Sequence, residues 1–298
     1  MKSKEVKSGN ILINTMAWGA MLWVILPDII YSILLQEKLP YPIIFQVYPL
    51  LILAVFGFLW HPLRSLKWYF FALAYYLVSA HVLKPCILSS QLWIELFFHE
   101  QANTAVQISG AQLLRLSEAA LLAGILLLAG FSRQELYLTL GDLKAPATSD
   151  KLLNVKEGDS WQGIIATIAP IVWLVTMVIL YFMMKPKTGQ FIVTFQQIHL
   201  IFLNASVNAI YEEFISRAVL FCLLVPVIGR NMAISIAVVF FGLGHYSGGY
   251  PNGISGVIMA SFLAYLLGKC ILETRGLLYA YVVHMVLDVI IFSYLAMR

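Results

Sequence analysis

Residues 211–220 read YEEFISRAVL, and this is where the sequence first offers chemistry. Glu212, Glu213 and Arg217 interrupt an apolar stretch, although each ionisable group at the centre of a membrane-spanning helix costs about 2.5–3.5 kcal/mol on insertion scales. On a helix, Glu213 and Arg217 are spaced i, i+4 with the acid first, the favourable order for an ion pair. Glu212 points about 100° away around the axis. The pattern predicts a division of labour in which Arg217 neutralises Glu213 and Glu212 remains available to act. Asn208, one turn earlier, can hydrogen-bond to Glu212. Two further polar insertions follow. FFGLGHYSGG puts Phe241 and His245 at the end of a short apolar segment, and VVHMVLDVII puts His284 and Asp288 on one face of the last one. A buried polar face on a final helix should point into the bundle. If Glu212, His245, His284 and Asp288 converge, they can activate water in two ways. Glutamate can act as general base with histidine orienting the water, or Glu and His can hold Zn²⁺ and ionise a bound water. Either suits peptide-bond hydrolysis, with His284 as a donor to the oxyanion.

Each of these residues has a plainer reading. A lone membrane histidine is more often a satisfied packing residue, and an isolated Glu–Arg pair is more often structural. Their concentration in the last third of the chain, on separate apolar segments, favours a site. An ion or proton pathway is the competing reading, but the halves show no inverted repeat and the polar groups form no ladder through the bilayer.

The elements that must position these residues are membrane helices. The chain has 298 residues, 61% hydrophobic and only 11% charged, against about 25% charged in soluble domains. This predicts an all-α, polytopic transmembrane bundle. Apolar windows of spanning length fall at 11–35, 41–60, 66–83, 113–131, 161–184, 199–228, 232–244, 254–272 and 277–296, giving eight or nine spans, with the seventh short. Ser89 to Phe98 is expected to lie along the interface. The outside loops would hold Lys38, Lys84, Lys185, Lys187 and Arg298. The inside loops would hold the other loop lysines and arginines, from Lys2, Lys4 and Lys7 to Lys269 and Arg275. That bias predicts a cytoplasmic N-terminus. The basic start followed by an apolar run is read as an uncleaved first span, because the run is too long for a signal peptide and no A-x-A site follows. Asp28, Arg115 and Glu118 are assigned structural roles, with Arg115 near a helix end, able to snorkel and to pair with Glu118 on the same face. Cys86, Cys222 and Cys270 show no metal or disulfide spacing and read as small packing residues. No basic run with interleaved aromatics suggests nucleic acid. The loop from Ser132 to Gly158 reads as a solvated connector, with covering of a bundle face as the alternative. SGGYPNG, residues 247–253, is turn chemistry.

EEFISR is EExxxR, FGLGH is FxxxH and HMVLD is HxxxD. In this order, within consecutive apolar segments, they resemble the motifs of the CPBP family, the CAAX proteases and bacteriocin-processing enzymes that include the type II CAAX prenyl endopeptidases. The resemblance covers about residues 196–298. It implies an intramembrane glutamic endopeptidase with a helical core, in which Glu212 is the general base and Glu213 and Arg217 shape the site. It implies further that His245 holds the water while His284 and position 288 stabilise the oxyanion. The prenyl-protease branch has Asn at that last position, where this chain has Asp288. A carboxyl group donates to an oxyanion only when protonated; otherwise Asp288 orients His284. The chain is accordingly divided into an N-terminal accessory transmembrane region, 1–184, and a catalytic core, 185–298. The expected reaction is cleavage near the C-terminus of a membrane-associated protein or peptide, lipidated or not, at the plasma membrane of a prokaryote. No cofactor is expected, and a Zn²⁺-dependent version is the less favoured form. A non-catalytic toxin-immunity or binding protein and an ion-coupled transporter are the other readings.

Overall fold

The structure, a computed structural model, describes residues 11–37, 39–100, 102, 104–183 and 195–296. Lys2, Lys4, Lys7, Lys38, Lys185, Lys187 and Arg298 lie outside them, as does the expected division at 184/185. The described residues form twelve α-helices in chain order: α1 Ile11–Leu35, α2 Tyr48–Leu59, α3 Lys67–Val78, α4 Lys84–Leu88, α5 Gln91–Phe97, α6 Thr104–Leu128, α7 Trp161–Met183, α8 Phe195–Glu213, α9 Val219–Ile228, α10 Arg230–Gly244, α11 Gly253–Thr274 and α12 Leu278–Ala296. Short π or 3₁₀ turns join several of them, including a π turn at Phe214–Ala218. There is no strand among the described residues, only the isolated bridges Pro146–Ser160 and Asp150–Val155.

Among the described residues, six helical segments are long and apolar enough to cross a membrane: Ile11–Leu35, His61–Leu88, Val106–Leu128, Trp161–Met183, Gly253–Thr274 and Leu278–Ala296. The protein is an all-helical, multi-pass membrane protein. The apolar segments at 41–60 and 232–244 form the shorter helices Ile43–Leu59 and Arg230–Gly244; fifteen residues in α10 reach only about 22 Å at 1.5 Å per residue. The segment at 199–228 folds as α8, the π turn and α9, and its charges and amides keep it from matching the other six in apolar character.

The chain divides into two compact units, each drawing on both ends of the sequence. One contains Met1–Ile87 and Val219–Tyr265. Within it, Tyr69 donates from its hydroxyl to the Ala17 carbonyl at 2.9 Å, and Tyr76 meets Phe240 edge-on. The Gln46 amide donates to Val24 O and to Asp28 Oδ2 at 3.1 and 3.2 Å, which gives Asp28 a structural partner across the turn before α2.

The other unit contains Leu88–Ala218 and Leu266–Arg298. Here α12 packs on α8 and α7, and α6 packs on α8. Trp173 donates to Val283 O at 3.0 Å, and the hydroxyls of Ser206 and Tyr281 are 2.5 Å apart, locking α12 to its neighbours. The segment between α6 and α7 is not a solvated connector. Leu136, Ala145, Ala147, Leu153 and Val155 are buried, and its backbone is tied to the α11–α12 turn through Asp142 N to Thr274 O and Leu277 N to Thr139 O. Thr148 and the Trp161 indole both donate to the Glu273 carboxylate. Lys269 is not a loop cation. It is buried in α11 and bonds Glu273 at 2.8 Å and the Thr148 hydroxyl at 2.6 Å. Of the cysteines, Cys222 and Cys270 are buried as expected of packing residues, whereas Cys86 is exposed; none forms a disulfide.

Candidate active site

The acid pair lies at the last turn of α8, immediately before the π turn. A π turn bonds i to i+5, inserting one residue into the helical repeat, and such turns occur frequently at functional sites. The Ser216 hydroxyl bonds back to the Glu212 carbonyl across it, a local side-chain substitute where the regular ladder is interrupted.

Glu213 and Arg217 are both fully buried and 2.5 Å apart. The same Glu213 oxygen, Oε1, accepts from Nδ1–H of His284 at 2.6 Å. That bond places a proton on Nδ1, so Nε2 is the ring nitrogen turned to other groups, and it donates to them when the ring is an imidazolium. Nε2 lies 3.5 Å from Glu212 Oε2 and 3.7 Å from Asp288 Oδ2. His284 thus spans two adjacent carboxylates that point in different directions on their own helix. Its partner on α12, Asp288, accepts from the Asn208 amide at 2.9 Å, and that amide also reaches Glu212 Oε1 at 3.2 Å.

Arg115 is the residue that sequence reasoning missed. Its Nη1 lies 3.3 Å from Glu212 Oε1 and bonds Asn208 Oδ1, and its guanidinium stands over the Tyr211 ring, 5.5 Å from the centroid. The expectation that it sits near a helix end fails because α6 starts at Thr104. The polar run TAVQISGAQ conceals the first turns of the helix. Arg115 is therefore well inside a spanning segment, where a cation needs a partner. The same contact sets a cation beside Glu212, the carboxylate expected to remain available to act. The usable signal was chemical: an arginine inside an apolar helix, and a carboxylate in an apolar segment assigned no counter-charge.

Glu212, Glu213, Arg217, Asn208, His284 and Asp288 are thus brought together in one unit, with Arg115. Side-chain exposure falls from 35% at Arg115 and 19% at Glu212 to 5% at His284 and Asp288 and zero at Glu213 and Arg217. The cluster has an open edge at Arg115 and Glu212 and a closed floor at Glu213 and Arg217. Three carboxylates face two guanidiniums and one imidazole, so the cluster is neutral when it carries one titratable proton. Phe241 and His245 belong to the other unit. There, His245 Nδ1 donates to Phe241 O at 2.9 Å and its ring lies 4.6 Å from that of Phe241, which directs Nε2 outward as an acceptor. Gly249 backs the imidazole closely: a Cβ there would come within 2.7 Å of His245 Cδ2, and its φ of +86° already favours glycine. Among the described residues no three His, Cys, Asp or Glu side chains are grouped as a metal ion would require.

Residues 194–290 match the family model described as type II CAAX prenyl endopeptidase Rce1-like. The curated proteins and the solved structures give no match. The matched segment holds all three motifs, from Glu212 to Asp288, and leaves Arg115 outside. The match covers about a third of the chain, and over residues 194–290 the chain is similar to Rce1-like type II CAAX prenyl endopeptidase domains.

Proposed function

We propose that the protein is an intramembrane endopeptidase of the glutamic type, hydrolysing a peptide bond near the C-terminus of a membrane-associated protein or peptide. The observation that carries this reading is the imidazole bridge: His284 is fixed through Nδ1 by Glu213, and so presents Nε2 at 3.5 Å to Glu212 Oε2. A base must be held within hydrogen-bond reach of the proton it takes. Glu212 accepts a proton from water, and the hydroxide adds to the scissile carbonyl carbon. The resulting oxyanion needs donors, and His284, beside Glu212, is the residue of this cluster assigned to it. The proton held by Glu212 then passes to the amide nitrogen, the C–N bond breaks, and acid and amine products leave. Asp288, tied to Asn208, orients His284 in this scheme. A lipid-bearing tail is a fitting substrate for a base set among membrane helices. The 185–298 region serves as catalytic core, and the 1–184 region supports it through Arg115. The plasma membrane of a prokaryote, with the N-terminus cytoplasmic, is the setting the loop charges favour.

Glu212→Gln keeps the shape and removes the base. In purified form it is expected to insert and fold normally and to lose about 10²–10⁴-fold in cleavage rate, the range general bases supply. Cleavage at the parent rate by this variant would reject the role of Glu212. A binding-only protein would keep its phenotype in the variant, and an ion-coupled transporter would show altered flux with no cleavage at all. Thorough chelation is expected to leave the rate unchanged; a loss restored by Zn²⁺ would replace the glutamic scheme with metal-assisted hydrolysis.

A further inference from the structure

Arg115 makes both of its polar contacts, to Glu212 and Asn208, through Nη1. Arginine carries five N–H donors in a planar fork, so Nη2 and Nε are unused among the described residues. Arg115 also has the most exposed side chain of the cluster's charged residues, at 35% against 19% for Glu212. A cation with unused donors therefore stands at the open edge of the site, directly beside the proposed base. Holding Glu212 in place occupies one nitrogen and does not explain the other two.

We propose that Arg115 determines specificity by receiving the free α-carboxylate at the substrate's C-terminus. This rests on the endopeptidase reading above. A carboxylate brought among apolar helices needs a paired donor set, and a guanidinium fork matches it in a two-bond geometry that a lysine cannot reproduce. The α-carboxylate is the one anionic group common to every substrate cut near its C-terminus, whatever its side chains. Spacing supports the assignment. The scissile carbonyl must approach the water at Glu212 to about 3–3.5 Å, and an extended chain advances about 3.3 Å per residue. With Arg115 Nη1 only 3.3 Å from Glu212, the carboxylate it receives belongs to a residue a short way downstream of the cut.

The test uses a prenylated CAAX peptide made as the free acid and as the C-terminal amide. Both are presented to the full-length protein in nanodiscs of phosphatidylcholine, which carry no net anionic lipid to compete. Cleavage and equilibrium binding are measured for the wild type, Arg115→Gln and Arg115→Lys, with thermal unfolding as the folding control. The wild type is expected to prefer the acid by about tenfold or more, mainly in KM and Kd, as charged hydrogen bonds imply. Arg115→Gln should reduce that preference to near unity, and Arg115→Lys should keep part of it. Binding is read independently of turnover, so a slow Arg115→Gln protein still reports. Equal handling of acid and amide by the wild type, or a preference that survives Arg115→Gln, overturns the proposal while leaving proteolysis standing. Arg115-dependent preference in binding, with no cleavage of either peptide by the wild type, supports the carboxylate site and sinks the protease reading instead.

Discussion

Removing the guanidinium of Arg217 should be among the most damaging single changes in the protein. Glu213 and Arg217 have no exposed side-chain surface and lie 2.5 Å apart. Glu213 Oε1 takes both Arg217 and His284, while Oε2 accepts no hydrogen bond among the described residues. Arg217→Met keeps much of the side-chain volume but leaves a buried carboxylate with one imidazole for company. Breaking a buried pair in this way costs about 3–5 kcal/mol. The companion double variant Glu213→Gln/Arg217→Met removes both charges and should recover about half or more of that loss, because replacing both partners of a buried pair is often close to neutral. Reversible unfolding by titrating SDS into mixed micelles measures both. A single variant within about 1 kcal/mol of the parent, or a double variant no better than the single one, would show that the pair is not the counter-charge system described.

Asp288→Asn should keep cleavage within about tenfold of the parent, because an Asn oxygen can still accept from the Asn208 amide that now bonds Asp288 at 2.9 Å, a contact of about 1.4 kcal/mol or less. A thousandfold loss in the peptide assay would mean that the charge itself is required. Gly276→Ala should loosen the 132–160 segment from the α11–α12 turn, since a Cβ there would lie 2.2 Å from Gly141 N and 2.4 Å from Gly141 Cα. Overpacking against backbone costs about 1–3 kcal/mol, and limited proteolysis within residues 150–158 should accelerate; an unchanged nicking rate would contradict the clasp.

The helical class was legible because spanning length and apolar composition are properties of a single segment. The shared face within each pair, Glu213 with Arg217 and His284 with Asp288, was legible for a related reason: each pair is spaced at one helical turn, so local periodicity fixes its face, though not the meeting of the two faces. What the sequence concealed depends on packing between segments. Arg115 meets Glu212 across 97 positions of sequence, and no periodicity reports that. The polar opening of α6 lowered the hydropathy of its first turns and displaced the apparent helix end. The segment before α7 looked solvated because its polar residues outnumber Leu136, Leu153 and Val155. Yet those polar side chains are the ones that bind Glu273 and the α11–α12 turn, leaving the apolar ones to be buried.

The two acids therefore differ in what sustains them. Glu213 is held chiefly by Arg217 on its own helical segment, with His284 as a second contact, so its setting survives small movements of neighbouring helices. Glu212 has its cation on α6 and its imidazole on α12, so both contacts depend on how those helices dock on α8. A hydrogen bond weakens steeply with misplacement, whereas the packing energy of a helix face is spread over many contacts. Perturbations at the α6–α8 or α8–α12 interface should then disturb the surroundings of Glu212 before they unfold the protein. The adjacent acids thus combine a locally secured anchor with a group whose competence reports on tertiary packing, and the π turn between Glu213 and Val219 is where the helical repeat is adjusted to hold both.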